Sequence, residues 1–302
     1  MPAPARKLTT DDFAPEVLEL FDGYVHGRLD RRGFLDGASR FAVGGVTATA
    51  LLAALSPDFA AAEQVPPGDP RIVATMTEFP SPEGSGPVRG YLVKPAGPAP
   101  AGGWPMVLVV HENRGLNPHI EDIARRLAVD RFIALAPDAL SPFGGYPGNE
   151  DKARSLFGSL DPDETRVDML AAVAYLKTVP GGNGRIGAVG FCWGGGMVNF
   201  LATRVPDLAA AVPFYGPAPA SASVAAIHAP LLLMFADTDD FVNKTWPPYE
   251  AALKAAGKRF EAFKYPGTQH GFNNDTTPRF DAGAAGLAWQ RTIAFFNRHL
   301  RG

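Results

Sequence analysis

Cys192 is the one cysteine of the chain, and it stands in Gly190-Phe191-Cys192-Trp193-Gly194, directly after the apolar run 186–189. A strand that turns sharply into a helix with a nucleophile at the turn needs glycine on both sides. The neighbouring backbone comes too close there for a Cβ. The pattern places the Cys192 thiol at a helix N-terminus, where partial positive charge favours the thiolate. The N–H of Trp193 can then face a developing oxyanion. A lone cysteine can also be an inert buried side chain; the strand–turn–helix context favours the nucleophile.

A thiolate nucleophile calls for a histidine and for an acid that orients it. Two later apolar runs end in such groups. Residues 230–235 lead into Asp237-Thr238-Asp239-Asp240-Phe241-Val242, and residues 260–265 into Gln269-His270-Gly271-Phe272. The order Cys, Asp, His is that of an α/β-hydrolase. His270 is the expected base and Asp239 the expected orienting acid. Asp237 and Asp240 are the alternatives for that acid, or turn caps. A fourth polar group, Glu112, follows the apolar run 107–110 in His111-Glu112-Asn113-Arg114-Gly115. A carboxylate at the end of a buried strand is costly unless it is paired or used.

The elements needed to bring these groups together can be read from periodicity. Strands are expected at 71–79, 88–94, 106–110, 132–136, 185–191, 209–214, 230–235 and 260–264. Helices are expected at 120–129, 165–176, 193–203, 249–256 and 286–300. Short buried strands alternating with helices imply a mostly parallel sheet with helices on both faces. Its sites lie at the C-terminal strand ends. Residues 68–302 are expected to form this α/β domain, with residues 1–67 as an N-terminal extension and 64–70 as a linker by composition.

At these residues the sequence resembles the dienelactone hydrolase family of α/β-hydrolases. The resemblance runs over roughly residues 70–302. It is carried by Glu112 in its strand-end loop, Gly-Phe-Cys-Trp-Gly-Gly at 190–195, Asp239-Asp240-Phe241-Val242, and His270 with Phe272. It implies a Cys192–His270–Asp239 triad that opens an ester or lactone through an acyl-enzyme. Glu112 would take the thiol proton as substrate binds, and the N–H groups of Trp193 and Asn113 would form the oxyanion hole. The family's substrate carboxylate is held by arginines. This chain has Asn274 at one of those positions and Glu150 at the other, with Arg154 one turn later, which reads as a solvated helix face. Arg114 is a candidate substitute. Phe191, Phe272 and Asn274 complete the expected substrate contacts.

Competing readings are a broad short-chain carboxylesterase, a non-catalytic binding protein on the same fold, and thiol redox sensing, which has no second cysteine to resolve it. The sequence shows no phosphate-binding glycine motif and no metal-ligand spacing, so neither cofactor nor metal is expected. A net charge of −3 gives no basic footprint for nucleic acid. The expected partner is a small ester or lactone, and a homodimer is left open.

Residues 1–67 hold six basic and nine acidic residues, hence the whole formal charge. Arg31-Arg32, the apolar stretch 41–55 and Ala60-Ala61-Ala62 follow one another in the order of a twin-arginine export signal, which it resembles. The expected location is therefore periplasmic or exported. The alternative is a cytoplasmic protein whose helical arm stays attached, packed through Phe21, Tyr24, Leu29 and Phe34 and covering part of the active-site mouth. The acidic residues before the arginines count against export. The apolar stretch is too short for a bilayer anchor.

Overall fold

The structure, a computed structural model, describes residues 6–42 and 46–301. The chain opens with four helices, α1 (Pro15–Val25), α2 (Arg31–Ala38), α3 (Ala48–Leu55) and α4 (Phe59–Ala62). Then comes a hairpin, β1 (Ile72–Ser81) and β2 (Gly86–Pro95), followed by β3 (Trp104–Val110), α5 (Pro118–Val129) and β4 (Ile133–Pro137). Helices α6 (Glu150–Phe157) and α7 (Pro162–Thr178) precede β5 (Gly182–Phe191), α8 (Trp193–Arg204) and β6 (Ala210–Phe214). The chain continues through β7 (Leu231–Thr238), α9 (Asp240–Asn243), α10 (Trp246–Ala255), β8 (Phe260–Gln269) and α11 (Ala282–Leu300).

The eight strands form one sheet in the order β1-β2-β4-β3-β5-β6-β7-β8. The first two strands are antiparallel to their neighbours, and the remaining pairs are parallel. This is an α/β-hydrolase sheet. Alternation along β3 divides the core. Leu108 and Val110 pack with α7 and α8 on one face, while Val107 and Val109 pack with α5 and α11 on the other. Side chains two apart share a face of a strand, so a central strand buried on both sides reads as a continuous apolar run.

Most boundaries shift by a few residues from the sequence reading, and α6 and α9 are absent from it; two of the differences have a plain physical cause. Strand β8 continues through Pro266-Gly267 to Gln269 because it lies at the sheet edge, where a missing N–H can be tolerated. Residues 64–65 are pinned rather than free: Asp122 accepts from the N–H groups of Gln64 and Val65, and Arg125 donates to the Val65 carbonyl.

Helices α1 to α3 form an arm with its own apolar cluster, centred on Val17, Phe21, Tyr24, Phe34, Leu52 and Leu55. The arm lies on the α/β body. The Arg154 guanidinium donates to the carbonyls of Tyr24 and Leu29, at 3.1 and 3.0 Å, and stacks 4.3 Å from the Tyr24 ring. The Tyr24 hydroxyl donates to Asp151, which also pairs with Arg31 at 2.9 Å. Arg154 is thus an anchor for the arm, not a solvated helix face. Asp30 caps α2 through the Gly33 N–H, with the paired arginines in its first turn. Residues 43–45 of the apolar stretch lie outside the described residues. Among the described residues no helix is long and apolar enough to cross a membrane.

Candidate active site

The sheet register alone brings the predicted groups to one edge. Val110 pairs with Gly190, so Glu112 and Cys192 leave adjacent strands side by side. Phe191 pairs with Phe214, which sets Tyr215 beside Cys192. Thr238 pairs with Gln269, and the next residues are Asp239 and His270.

Cys192 sits at φ 56°, ψ −116°, an unusual conformation for a side chain other than glycine's. Its glycine neighbours make that turn feasible. A Cβ on Gly190 would lie 2.2 Å from the Gly194 carbonyl oxygen, and one on Gly194 would lie 2.3 Å from that of Val110. Helix α8 starts at Trp193, and the Cys192 N–H is held by the Phe214 carbonyl at 3.1 Å.

His270 Nδ1 lies 2.6 Å from Asp239 Oδ2, and both side chains are buried. The other Asp239 oxygen accepts from the Val242 N–H and caps α9. One carboxylate therefore fixes both the imidazole and the loop that carries it. Asp237 instead accepts from the Gly267 N–H on the sheet edge, so of the three candidate acids Asp239 meets the histidine.

A second imidazole occupies the same spot. A ring nitrogen of His26, one of His270 and Sγ of Cys192 all lie within 4.8 Å of one another. His26 closes α1, and its Nδ1 lies 3.0 Å from Asp22 Oδ1 one turn earlier. Because Nδ1 of each ring faces a carboxylate, Nε2 is left for the thiol. Nε2 of both rings is buried without a well-aligned hydrogen-bond partner among the described residues, so the contact with sulfur is long or bent. Such a donor set suits a thiolate with its imidazoles and would also suit a soft divalent cation.

Burial pushes the Cys192 thiol up, but the charge of His270 and the contacts with His26 and His270 outweigh it and bring the thiol down to about 6. Burial pushes His270 down, whereas the Cys192 thiolate and Asp239 carry it up to about 10. For His26, burial is likewise outweighed by Asp22 and Cys192, and the ring rises to about 9.

The remaining expected residues divide. Glu112 is at the site, half-buried, with its carboxylate accepting from Asn274 Nδ2 at 2.9 Å. Asn274 is thus a holder of Glu112 from a buried loop. The Asn113 amide donates to the Val25 carbonyl of the arm at 2.8 Å. Arg114 is buried, bonded to the Asn113 side chain at 2.6 Å and 3.7 Å from Glu150, so it is not a free cation for a substrate. Phe191 and Phe272 are fully buried against Phe214 and Tyr215. They back the site and do not line it: Phe191, at the end of β5, and Phe272, in the turn after β8, both pack into the core under the site.

Three residues at the site are absent from the sequence reading. His26 was hidden by its place in the extension. Tyr215 has φ 34°, a buried hydroxyl without a partner among the described residues, and its ring 4.9 Å from that of His270. Arg279 is buried under the Phe21 ring, with Nε and Nη1 unpartnered among the described residues.

Residues 88–300 match the model of the dienelactone hydrolase family. The chain belongs to the dienelactone hydrolase family. It is an ester or lactone hydrolase by that membership. An Escherichia coli protein named "Putative carboxymethylenebutenolidase" is 30% identical over 246 residues, covering 76% of this chain and 89% of its own. A crystal structure titled "Putative Dienelactone Hydrolase" from Klebsiella pneumoniae superposes with a TM-score of 0.65 at 27% identity, covering 75% of this chain and 99% of that one. The arm has a match of its own. Residues 5–43 fit a model described as YqhI-like. Over 117 residues the chain is 59% identical to the E. coli "Putative hydrolase fragment YghX", covering 39% of this chain and 98% of that protein.

Proposed function

We propose that this dienelactone hydrolase relative cleaves small carboxylic esters or lactones through an acyl-enzyme on Cys192. The observation that carries the reading is the line Asp239–His270–Cys192, in which a buried 2.6 Å carboxylate–imidazole contact leaves Nε2 facing a thiol on a strained turn.

The thiolate attacks the substrate carbonyl carbon, and the carbonyl π electrons move to oxygen. The N–H groups of Trp193 and Asn113 are the donors we assign to that oxyanion; the Asn113 N–H has no other acceptor among the described residues. As the intermediate collapses, the imidazolium of His270 protonates the departing alkoxide and the C–O bond breaks. In a lactone the freed hydroxyl stays on the acyl group. Water then attacks the thioester, with His270 as base, and the carboxylic acid leaves as the thiolate is restored. Glu112, held on Asn274, is the carboxylate we assign to accept the proton where Cys192 is still a thiol as substrate binds. Neutral or weakly polar esters are favoured over carboxylate-bearing dienelactones, because Asn274 stands where the family places an arginine and Arg114 is already paired. This chemistry requires neither metal nor organic cofactor.

Purified protein should hydrolyse p-nitrophenyl esters or small lactones, and mass spectrometry after rapid quenching should find the acyl group on Cys192. In Cys192→Ala turnover should fall by about 10³-fold or more. Wild-type turnover in that variant would remove Cys192 from the mechanism.

A further inference from the structure

We propose that His26 is a second active-site imidazole: the arm brings an Asp22–His26 pair to the Cys192 thiol beside the Asp239–His270 pair, and so completes the nucleophile site from outside the α/β domain. The inference rests on the reading of Cys192 as nucleophile.

The position of His26 is built, not incidental. Its side chain is 10% exposed. Besides the 3.0 Å contact with the Asp22 carboxylate, Nδ1 lies 2.9 Å from the Asp22 carbonyl. Asp22 is itself held by Arg28 at 2.6 Å. The ring meets His270 edge to face at 4.4 Å and has Phe241 on another side at 5.7 Å. The backbone on either side of it is tied to the body. Val25 accepts from Asn113, the residue assigned to the oxyanion hole, and Tyr24 and Leu29 accept from Arg154. Immediately after His26 the chain turns at Gly27 with φ 75°, a conformation that suits glycine.

The chemistry follows from the groups that face the thiol. These are His26 and His270, with Tyr215 close by and the Glu112 carboxylate turned to Asn274. Two imidazoles share one sulfur. The thiol proton passes to His26 Nε2, giving a thiolate and an imidazolium whose charge Asp22 balances. His270, already an imidazolium over Asp239, keeps its own proton for the leaving group and regains one from the attacking water. A carboxylate behind an imidazole raises its basicity and fixes its tautomer, and here the arrangement occurs twice. A cover that merely excluded solvent would need neither an aspartate behind the ring nor a ring nitrogen within 4.8 Å of the sulfur.

The test uses the full-length chain and its single thiol. Iodoacetamide alkylation of Cys192 is followed against pH in wild type, His26→Gln and His26→Ala, alongside ester turnover. The midpoint of alkylation should rise by about one pH unit or more in both variants, which is about a ten-fold loss of thiolate well below the midpoint. Turnover at neutral pH should fall at least in proportion. Asp22→Asn should move the midpoint in the same direction by less, and it serves if the His26 variants do not fold. An unchanged midpoint in folded His26 variants overturns the proposal, and a gain in turnover with an unchanged midpoint would make the arm a plug. Alkylation needs no substrate, so it separates this failure from that of the parent reading. That parent failure is wild-type turnover in Cys192→Ala, which would take His26 out of catalysis with it.

Discussion

The rings of His26 and His270 meet edge to face 4.4 Å apart beside one thiol, each with an aspartate behind its Nδ1. They arrive by different routes. His270 is delivered by sheet register, because β8 ends one residue before it and β7 ends one residue before Asp239. His26 is delivered by the packing of a separate helical arm on the loops after β3 and β8. The thiol's electrostatics therefore depend on two units of the fold.

The pH dependence follows in sign from these contacts. The folded Cys192 thiol lies near 6, below its usual range, so the thiolate's contribution to stability is complete above about 8.5 and is lost as pH falls through about 6. His270 lies near 10, above its ordinary value, so its contribution is complete below about 6.5 and is lost as pH rises through about 10. Alkylation of Cys192 should show a midpoint near pH 6, and turnover should fall on the acid side there and on the alkaline side near pH 10. An alkylation midpoint at the ordinary thiol value would show that the imidazoles do not hold a thiolate.

Asp239→Asn should separate orientation from folding. Asparagine can still cap α9 through its side-chain oxygen, so the melting temperature should change little. It cannot balance an imidazolium on His270, so turnover should drop by about 10²–10⁴-fold. Thermal melts and ester kinetics on the same preparation check both halves. Turnover within a factor of two of wild type would remove Asp239 from its orienting role.

Glu112→Gln tests whether the carboxylate acts on the resting thiol or only during turnover. Its oxygen rests on Asn274, and glutamine can keep that hydrogen bond. The alkylation midpoint should therefore move by less than about half a pH unit, while turnover falls by about 10²-fold, as for loss of a general base. If alkylation shifts as far as in the His26 variants, Glu112 acts on the resting thiolate. If neither quantity changes, Glu112 is a structural charge.

How much of this was legible in the sequence depends on the kind of signal. The glycines around Cys192 betrayed the elbow because a Cβ at either of them would collide with backbone. Buried strands 5 to 10 residues long stood out as apolar runs, which placed Cys192, Asp239, His270 and Glu112 at one sheet edge. The substrate contacts fared worse. Phe191 and Phe272 look the same in sequence whether they line a cleft or fill a core, and Arg114 gives no sign of its pairing with Glu150, 36 residues away. His26 left no trace, because helical spacing in the arm says which face is apolar and nothing about where the arm docks. Only the i, i+4 spacing of Asp22 and His26 could have suggested a pair.

The last prediction concerns the mature N-terminus, because export with cleavage after Ala62 and an active-site role for His26 exclude each other. In the fold, Arg31-Arg32 open α2 and the alanines of the cleavage-like site form α4. Cutting there would remove Phe21 from above Arg279, take away both carbonyls that Arg154 bonds, and free the Asn113 amide from Val25. Half-buried Arg154 would lose two hydrogen bonds of a charged group, each worth about 1.5–3 kcal/mol net, so the truncated body would be less stable as well as short of an imidazole. We expect protein isolated from its native host to begin before Asp22 when its intact mass is measured. We also expect a version made as residues 63–302 to melt at lower temperature and to show the raised alkylation midpoint of His26→Ala. A native mass starting near Glu63, in a fraction outside the cytoplasm, would establish export and show that the mature enzyme works without the arm.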